Sequence, residues 1–207
     1  MNLRARTFES IGFMISAVQD NDQFMVTVKQ ITEKLFGLLN STFAHDDPQE
    51  GAVKEALVKI AFYLKEDFQV VAPKFLEILV KDANLEIDIK QENADLPSTA
   101  NAKANSFEFK LKGMESSTRV TFNTSDLGNK VQAFKHILNL SEAMGSGFTP
   151  YIQVISPLLK SHITHFSKEI RKASMKTFQY LLIALGEEKN MALFKEVYGL
   201  FSMNILM

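Results

Sequence analysis

Apolar residues recur along most of the chain at intervals of three and four, which is the spacing of one face of an α-helix. The pattern predicts eight helices that follow one another in pairs. The second helix of each pair carries an apolar stripe with the spacing +4, +3, +4. The four stripes are Phe24-Val28-Ile31-Leu35, Phe68-Ala72-Phe75-Leu79, Phe148-Ile152-Ile155-Leu159 and Phe194-Tyr198-Phe201-Ile205.

The first helix of each pair is predicted by a less regular series of apolar residues. These series are Leu3-Phe8-Ile11-Ile15-Val18, Ala52-Leu57-Ile60-Leu64, Val131-Phe134-Ile137-Leu140 and Ile170-Met175-Phe178-Leu182. The first and last of these helices also match in sequence, because Leu3-Arg4-Ala5-Arg6-Thr7-Phe8 aligns with Ile170-Arg171-Lys172-Ala173-Ser174-Met175. This similarity indicates that the pairs are copies of one repeat.

Turn and cap residues mark where the predicted helices begin. Asp20-Asn21-Asp22 predicts a turn and an N-cap, and Asp46-Asp47-Pro48 predicts an aspartate cap followed by proline in the first turn. Pro73 is expected in the first turn of the helix around Phe75, because proline is tolerated there and not deeper in a helix. Thr149-Pro150 predicts another cap with proline, and Pro157 predicts a kink.

The distances between the stripes are typical of two-helix repeats. Their first phenylalanines are 44, 80 and 46 residues apart, and two of these distances fall within the ~40 to 47 residues of HEAT and armadillo repeats. The pattern therefore predicts an all-α fold, an α-α superhelix (a HEAT/ARM-type solenoid) of about four helix pairs, with a helical bundle as the alternative. The predicted repeats cover about residues 1–42, 46–84, 126–163 and 167–207.

The long middle distance predicts an insertion over residues 85–125 that lacks a helical stripe. Its polar, proline-containing residues 94–106 predict a flexible loop. Phe107 to Leu111 and Val120 to Phe122 then alternate between apolar and polar residues, with Gly113 to Ser117 between them. This pattern predicts a small β-hairpin.

The sequence before that loop predicts one further strand. Leu85 to Lys90 also alternates between apolar and polar residues. The insertion is therefore expected to hold up to three short strands.

Composition excludes several classes of function. The 207 residues include 23 Lys and Arg against 24 Asp and Glu, a net charge of −1, so a surface built to bind nucleic acid directly is not expected. The absence of cysteine excludes a disulfide scaffold, a thiol nucleophile and zinc sites with thiolate ligands. No apolar run approaches the ~18 to 20 residues of a membrane span, so membrane insertion is not expected either.

The polar residues form no catalytic, cofactor or metal-binding pattern. His162 and His165 could share a helix face, but two imidazoles without a third ligand are more typical of a polar helix edge. His136 is expected to be solvated or half-buried, and Gly145-Ser146-Gly147 reads as a helix end with a turn. A solvated or structural face is the favoured interpretation of the basic cluster of Lys160, Lys168, Arg171, Lys172 and Lys176. We therefore expect neither an enzyme nor a cofactor.

Three features in a fixed order carry a resemblance to a known family. Asp46-Asp47-Pro48-Gln49 precedes a first helix. The phrase Lys65-Glu66-Asp67-Phe68-Gln69-Val70-Val71-Ala72-Pro73 is echoed by Phe148-Thr149-Pro150-Tyr151. The insertion places a polar loop before the strand-like Phe107-Glu108-Phe109-Lys110-Leu111. Together with Leu3 to Gly12 and Phe24 to Ile31, they resemble HEAT repeats of the karyopherin-beta (importin-beta) superfamily, most of all the importin beta-3 subfamily.

The resemblance implies a fragment from the middle or later part of a nuclear transport receptor. Met1-Asn2 leads into a helix without a polar capping repeat, and Met203 to Met207 are apolar. Because the ends of a solenoid are normally capped by polar faces, we expect a piece of a longer array. Such a receptor binds protein cargo with basic import signals and carries it between cytoplasm and nucleus through the nuclear pore. Ran-GTP governs cargo release, with contacts that can lie in repeats outside this fragment, and phenylalanine-glycine nucleoporins are further partners.

Cargo would be held on the concave surface that the second helices form, and apolar gaps between repeats could take phenylalanine side chains. The candidate acidic cargo contacts are Asp22, Glu33, Glu77, Glu86 and Asp88. An ordinary solvated carboxylate is the alternative for each. For the whole protein the alternative is a non-transport HEAT-repeat scaffold or adaptor subunit of a larger complex, which would share the repeats but not the sensitivity to Ran.

Overall fold

A computed structural model describes residues 3–18, 22–40, 43, 47–86, 89–93, 104–109 and 118–205 of the chain. These residues form eight α-helices and three short strands. The helices are α1 (Leu3–Ala17), α2 (Met25–Leu39), α3 (Pro48–Leu64), α4 (Ala72–Ala83), α5 (Thr124–Met144), α6 (Ile152–His162), α7 (Lys168–Glu187) and α8 (Met191–Ile205). The strands are β1 (Ile89–Asn93), β2 (Ala104–Phe109) and β3 (Thr118–Asn123).

The helices pack as two rows. The first helices form a continuous row in which α1 contacts α3, α3 contacts α5 and α5 contacts α7. Each of the second helices α2, α4 and α6 packs against the first helix of the following pair. Each pair therefore covers the apolar face of its neighbour, which is how a solenoid of helix pairs buries its core. None of the described helices combines the length and the apolarity needed to cross a lipid bilayer.

The core is one continuous cluster of apolar side chains that runs through all four helix pairs. Its largest fully buried members are aromatic, and burying a phenylalanine removes more apolar surface from water than burying an aliphatic side chain does. They are Phe68, Phe75, Phe134, Phe148 and Phe178. Several of the residues that define the predicted stripes thus lie at the centre of the fold.

A glycine lets the first two helices of the first row approach each other closely. A Cβ atom at Gly12 of α1 would lie 2.9 Å from the Cδ atom of Lys59 and 3.3 Å from the Cα atom of Ala56, both on α3. The Lys59 side chain reaches from α3 to α1 and places its ammonium 3.5 Å from the ring centroid of Phe13, a cation–π contact. Gly12 therefore sets the distance between α1 and α3.

Several of the predicted start and stop signals are confirmed. The Asp47 side chain caps α3 by accepting a hydrogen bond of 2.9 Å from the backbone N–H of Gln49, and Pro48 lies in the first turn. Pro73 lies in the first turn of α4. Gly145 adopts a φ of +51° directly after the last residue of α5, a conformation that glycine adopts without strain. Pro157 lies inside α6, as predicted.

Two phenylalanines of the predicted helical stripes lie outside the second helices. Phe68 and Phe148 lie in 3-10 helices, over Lys65–Val70 and Gly145–Tyr151, that lead into α4 and α6. Thr149-Pro150 is therefore no N-cap, and α6 begins at Ile152 without a capping side chain. A 3-10 turn can bury a residue on the same side as the following helix, so its phenylalanine extends the apolar spacing without belonging to the helix.

The predicted cap before α2 is wrong as well. Asp22 belongs to a short 3-10 helix, Asp22–Phe24, and α2 begins at Met25 with no capping side chain. Asp20 and Asn21 lie outside the described residues.

Some residues of the predicted stripes face solvent. Leu3 is 80% exposed because α1 turns the face with Ala5, Gly12 and Ile15 toward α3, and Leu3 lies two residues, about 200°, away from Ala5. Phe24 and Tyr198 are exposed too. The side chains of Phe201 and Ile205 lie outside the described ones.

The insertion contains an antiparallel sheet with the strand order β1-β3-β2. Phe107 pairs with Val120 in the β2–β3 ladder, and Glu92 pairs with Arg119 in the β1–β3 ladder. The strands are shifted from the predicted segments, because β2 begins at Ala104 and β1 begins only at Ile89. Residues 104–106 thus belong to a strand and not to the predicted loop. Residues 94–103 and 110–117, which hold the rest of that loop and the predicted turn, lie outside the described residues.

Candidate functional site

An acidic groove of about 930 Å³ opens between the amino-terminal halves of α3 and α5. The middle of α1 and the carboxyl-terminal end of α4 complete its walls, because α1 packs on α3 and α4 packs on α5. We call this surface the acidic groove. The carboxylates that line it are Glu9, Asp47, Glu50, Glu55, Asp82 and Asp126.

Two of these carboxylates are placed by the start of α3. Asp47 is the N-cap, and its carboxylate also accepts hydrogen bonds from the side-chain amide of Gln49. Glu50 lies in the first helical turn. Negative charges are stabilised at this end of a helix by the unpaired backbone N–H groups and the helix dipole. The groove therefore holds two carboxylates at positions where the helix itself stabilises their charge.

A buried lysine joins the walls of the groove. The Nζ atom of Lys54 lies 2.6 Å from Glu50 Oε1 and 2.6 Å from Asp82 Oδ2, and Lys54 is only 8% exposed. Burial alone would lower the pKa of Lys54, but the hydrogen bonds and charges of Asp82 and Glu50 outweigh it and raise this pKa. Lys54 is therefore a fixed cation that ties α3 to the end of α4.

A second polar pair crosses from α3 to α5. Glu55 Oε2 lies 3.2 Å from His136 Nε2, and Lys59 Nζ lies 3.8 Å from the other carboxylate oxygen, Oε1. The hydrogen bond from His136 lowers the pKa of Glu55 more than burial raises it. The carboxylate is ionised at neutral pH and can only accept, so Nε2 of His136 donates this hydrogen bond.

The groove has a strong excess of negative charge. Six carboxylates and one lysine line it, so the carboxylates outnumber the lysine by five. Such a surface attracts ammonium and guanidinium groups and repels phosphate. Within the described ranges, no group of three or more His, Asp and Glu side chains has the arrangement of a metal site.

The acidic residues predicted as cargo contacts lie elsewhere. Glu33 on α2 and Glu77 on α4 are exposed on the second helices, and Glu86 is exposed just after α4. Asp22 lies in the 3-10 helix before α2, and Asp88 lies outside the described residues. None of the three whose side chains the structure describes, Glu33, Glu77 and Glu86, lines the acidic groove.

The histidines differ from the sequence-based expectation. His136 is 4% exposed and paired with Glu55, so the prediction of a solvated or half-buried residue is wrong. His162 is the last residue of α6 and His165 lies in the linker to α7, so they do not share a helix face. Their rings nevertheless stack with centroids 5.6 Å apart. His45 lies outside the described residues.

The histidine stack predicts a pH dependence of stability. Burial, with the positive charges of Lys130 and Arg171 nearby, lowers the pKa of His165 to about 4, and burial also lowers the pKa of His162. Between pH ~6.5 and 4 the unfolded chain therefore binds more protons at these histidines than the folded chain does. The folded state keeps its full stability above pH ~6.5 and loses stability as the pH falls toward 4. Protonation of His165 Nδ1 would also end the hydrogen bond that it accepts from Ser167 N–H, at 3.1 Å.

We expect the midpoint temperature of thermal unfolding to decrease as the pH is lowered from 7 to 5, a range in which ordinary carboxylates stay ionised. The variant His165→Asn keeps an acceptor at this position and cannot become charged, so about half of the fall is expected to disappear. Calorimetry of both chains across this range makes the comparison. An unchanged slope in His165→Asn would contradict the assignment.

One member of the basic cluster has a structural role. Arg171 donates from its NH1 nitrogen to the backbone carbonyls of His165, at 2.6 Å, and Phe166, at 2.8 Å. It thereby satisfies carbonyls of the linker between α6 and α7. Lys168, Lys172 and Lys176 are exposed along α7. This agrees with the interpretation of the cluster as a structural and solvated face.

The residues that build the groove were missed by the sequence analysis. The spacing of Glu50 and Lys54, one helical turn apart, is a recognisable local signal for an ion pair. No local pattern indicates the other pairs, because Asp82 and Lys54 are 28 residues apart and His136 and Glu55 are 81 residues apart.

The comparisons with known proteins agree with this architecture. No protein-family model matches the chain. A crystal structure of Kap121p matches 98% of the chain at a TM-score of 0.69 and 16% identity, and Kap121p bound to RanGTP matches 97% at a TM-score of 0.67 and 16% identity. A Kap121p variant with three acidic residues changed to lysine matches 88% at a TM-score of 0.69 and 17% identity.

The chain spans about a fifth of the length of these Kap121p chains, since the matched parts are 20%, 20% and 17% of them. At this level of identity the likeness establishes the fold. Kap121p, which has also been solved with the extreme C-terminus of Cdc14p, is a karyopherin. The helix pairs of this chain thus have the solenoid fold of the karyopherin Kap121p.

Proposed function

We propose that this chain is a segment of a nuclear transport receptor of the karyopherin-beta superfamily, of the importin beta-3 type. The receptor binds protein cargo that carries basic import signals and moves between cytoplasm and nucleus through the nuclear pore, with cargo release governed by Ran-GTP. The observation that carries the proposal is the likeness of the solenoid to Kap121p over 98% of the chain. The role is one of binding, without catalysis or a cofactor.

The solved complexes of Kap121p support these partners. Kap121p has been solved with RanGTP, with the extreme C-terminus of the phosphatase Cdc14p and with Nup53p. Further complexes contain Ste12p and Pho4p. A receptor of this fold thus binds several different proteins as well as RanGTP, and we extend the same classes of partner to this protein.

The exposed carboxylates of the second helices are proposed as cargo contacts. Glu33 and Glu77 are exposed on α2 and α4, where each could bind a lysine or arginine of an import signal through charge-assisted hydrogen bonds. Asp22, Glu86 and Asp88 complete the proposed set. Their contribution is expected to weaken with rising salt, because exposed charges are screened.

An apolar gap between α7 and α8 is proposed as a site for phenylalanine-glycine nucleoporins. The gap has a volume of about 540 Å³, and its apolar walls are Met175, Leu182, Ile183 and Phe194. Met175 and Ile183 are 43% and 48% exposed, so apolar surface is open to solvent there. A phenylalanine ring placed in the gap would cover this surface.

We expect the double variant Met175→Glu, Ile183→Glu to bind a phenylalanine-glycine repeat peptide at least about tenfold more weakly, because charged groups in the gap resist desolvation. The variant Val70→Glu, Val154→Glu introduces the same charges at residues that are 87% and 64% exposed outside the gap, and it should bind normally. Isothermal titration with the peptide measures both. Equal losses in the two variants would contradict the assignment.

An import assay tests the proposed function as a whole. In permeabilised cells, the full-length protein is expected to accumulate a fluorescent fusion with a basic import signal in the nucleus, and a fusion without the signal should stay outside. A protein that binds the signal but accumulates no cargo would favour a HEAT-repeat scaffold or adaptor instead.

A further inference from the structure

We propose that the apolar gap between α7 and α8 and a row of lysines beside it together bind a partner segment in which acidic residues flank a phenylalanine. The row, which we call the lysine stripe, consists of Lys168, Lys172 and Lys176 on α7. The inference deepens the proposed function, because it names the class of segment that the gap selects. It rests on the proposal that the gap takes phenylalanine side chains.

The lysine stripe and the gap lie on the same side of α7. The three lysines follow one another at intervals of four residues, about one helical turn, and all three are exposed. Met175 and Ile183, two walls of the gap, lie within about 60° of Lys172 around the helix axis. The cations and the apolar walls therefore form one surface, which extends about 22 Å along α7 from Lys168 to Ile183.

The apolar half of this surface can take one large side chain. The gap has a volume of about 540 Å³, and Met175 and Ile183 expose apolar surface in it. On the α8 side, the ring of Phe194 lies within 5° of parallel to the ring of Tyr198, with centroids 6.3 Å apart. An aromatic ring that enters the gap would cover the exposed apolar surface and contact the Phe194 ring.

The cations of the lysine stripe are available to a partner. Among the residues that the structure describes, neither Lys172 nor Lys176 has a carboxylate within ion-pair distance. Lys176 also lines the gap, where its aliphatic stem can extend the apolar wall while the ammonium stays in water. The occupant is therefore expected to bring carboxylates of its own, which would form charge-assisted hydrogen bonds with these ammonium groups.

The spacing between the two halves fits a short segment. Gln179 lies in the lining of the gap, and Lys172 lies seven residues before it, about 10 Å along the helix. An extended chain covers this distance in about three residues. An aspartate or glutamate within about three residues of the phenylalanine would therefore reach the lysine stripe. A neutral segment would leave the ammonium groups unpaired, and an acidic segment without an aromatic residue would leave the gap open.

Three peptides of about nine residues separate the two contributions. The first has a central phenylalanine with two aspartates on each side, the second has asparagine in place of the aspartates, and the third has serine in place of the phenylalanine. We expect the first peptide, measured by fluorescence anisotropy at physiological ionic strength, to bind at least about fivefold more tightly than each of the others. Its advantage over the asparagine peptide should shrink at high salt, because exposed ion pairs are screened.

Two matched double variants test whether the lysine stripe causes the preference. Lys172→Gln, Lys176→Gln removes two charges beside the gap, and Lys74→Gln, Lys81→Gln removes two charges from exposed residues of α4. The first variant should bind the aspartate and asparagine peptides with affinities within about twofold of each other. The second should keep the preference of the unchanged chain. Circular dichroism establishes that both are folded before binding is compared.

Four results would overturn the proposal. Equal binding of the aspartate and asparagine peptides to the unchanged chain would exclude the lysine stripe, and equal losses in the two double variants would show a general charge effect. Full binding of the serine peptide would show that the gap takes no part. Displacement of the first peptide by an equal concentration of a short RNA would assign the lysines to phosphate groups.

The same peptides distinguish this inference from the proposed nucleoporin site. If the aspartate and asparagine peptides bind equally and both bind more weakly to Met175→Glu, Ile183→Glu, the gap still takes phenylalanine and only the acidic preference fails. If neither phenylalanine peptide binds, both proposals for the gap fail. The import assay measures transport independently of either result.

Discussion

Replacing Phe134 by alanine is expected to lower the free energy of unfolding by about 3–5 kcal/mol. The ring is fully buried on α5, the helix that contacts α3, α4 and α7, and its centroid lies 4.8 Å from that of His162 at the end of α6. Truncation would remove apolar contacts to several helices and leave a cavity between pairs. Because a solenoid is stable only through contacts between neighbours, the loss should separate the unfolding of the two halves.

Urea unfolding followed by circular dichroism measures this effect. The control Phe62→Ala removes the same ring from a residue of α3 that is 36% exposed, and we expect it to cost about 1 kcal/mol or less. A second transition in Phe134→Ala that is absent in Phe62→Ala would show the expected uncoupling. Similar losses in both variants would contradict the placement of Phe134 at the centre of the core.

Replacing Asp82 by alanine is expected to cost about 2 kcal/mol. Lys54 would stay buried with Glu50 as its remaining partner in the pair, and a buried ammonium that loses a carboxylate is poorly compensated. The value lies below the full cost of breaking a buried pair, because the Asp82 and Glu50 side chains are 22% and 37% exposed and water screens them in part.

A second substitution shows whether the buried charge is the cause. Lys54→Met in the Asp82→Ala background removes the charge and keeps most of the volume, so most of the lost stability should return. The sign of the pKa shift gives an independent check. Since the folded-state pKa of Lys54 is raised, its contribution is complete below pH ~10.5 and is lost only as the pH rises through the folded value. No recovery in the double variant would exclude the buried lysine as the cause.

The helix pairs could be predicted because their apolar spacing and their caps are local signals. Ile60, Phe75 and Ile155 stand in stripes read directly from the sequence, and all three are fully buried. Asp47 and Pro48 likewise began α3 where expected, since a cap depends only on neighbouring residues.

The 3-10 segments could not be separated from the helices by spacing alone. Phe68 is fully buried although it lies in the 3-10 helix before α4. Its distance of seven residues from Phe75 nevertheless fits a helical stripe. Thr149 looks like a cap in sequence, yet the chain around it is a 3-10 helix that continues to Tyr151. The local pattern identifies which side is buried and leaves the type of turn open.

The acidic groove was beyond prediction because tertiary contacts create it. Its residues come from four helices, and the pairs that link them join residues far apart in sequence. From a single sequence, an exposed acidic residue such as Glu77 cannot be distinguished from a groove residue such as Asp82. Only the packing of α3 against α5 and of α5 against α4 distinguishes them.

We propose that this solenoid belongs to a receptor whose hold on cargo is governed by Ran-GTP. The direct measurement is the affinity of the full-length protein for a lysine-rich import peptide, at physiological salt, with and without Ran-GTP. A sharp loss of bound peptide when Ran-GTP is added, and no loss with Ran-GDP, is the result that we expect. Binding that is unaffected by Ran-GTP would contradict the claim and would leave the likeness to Kap121p as one of architecture alone.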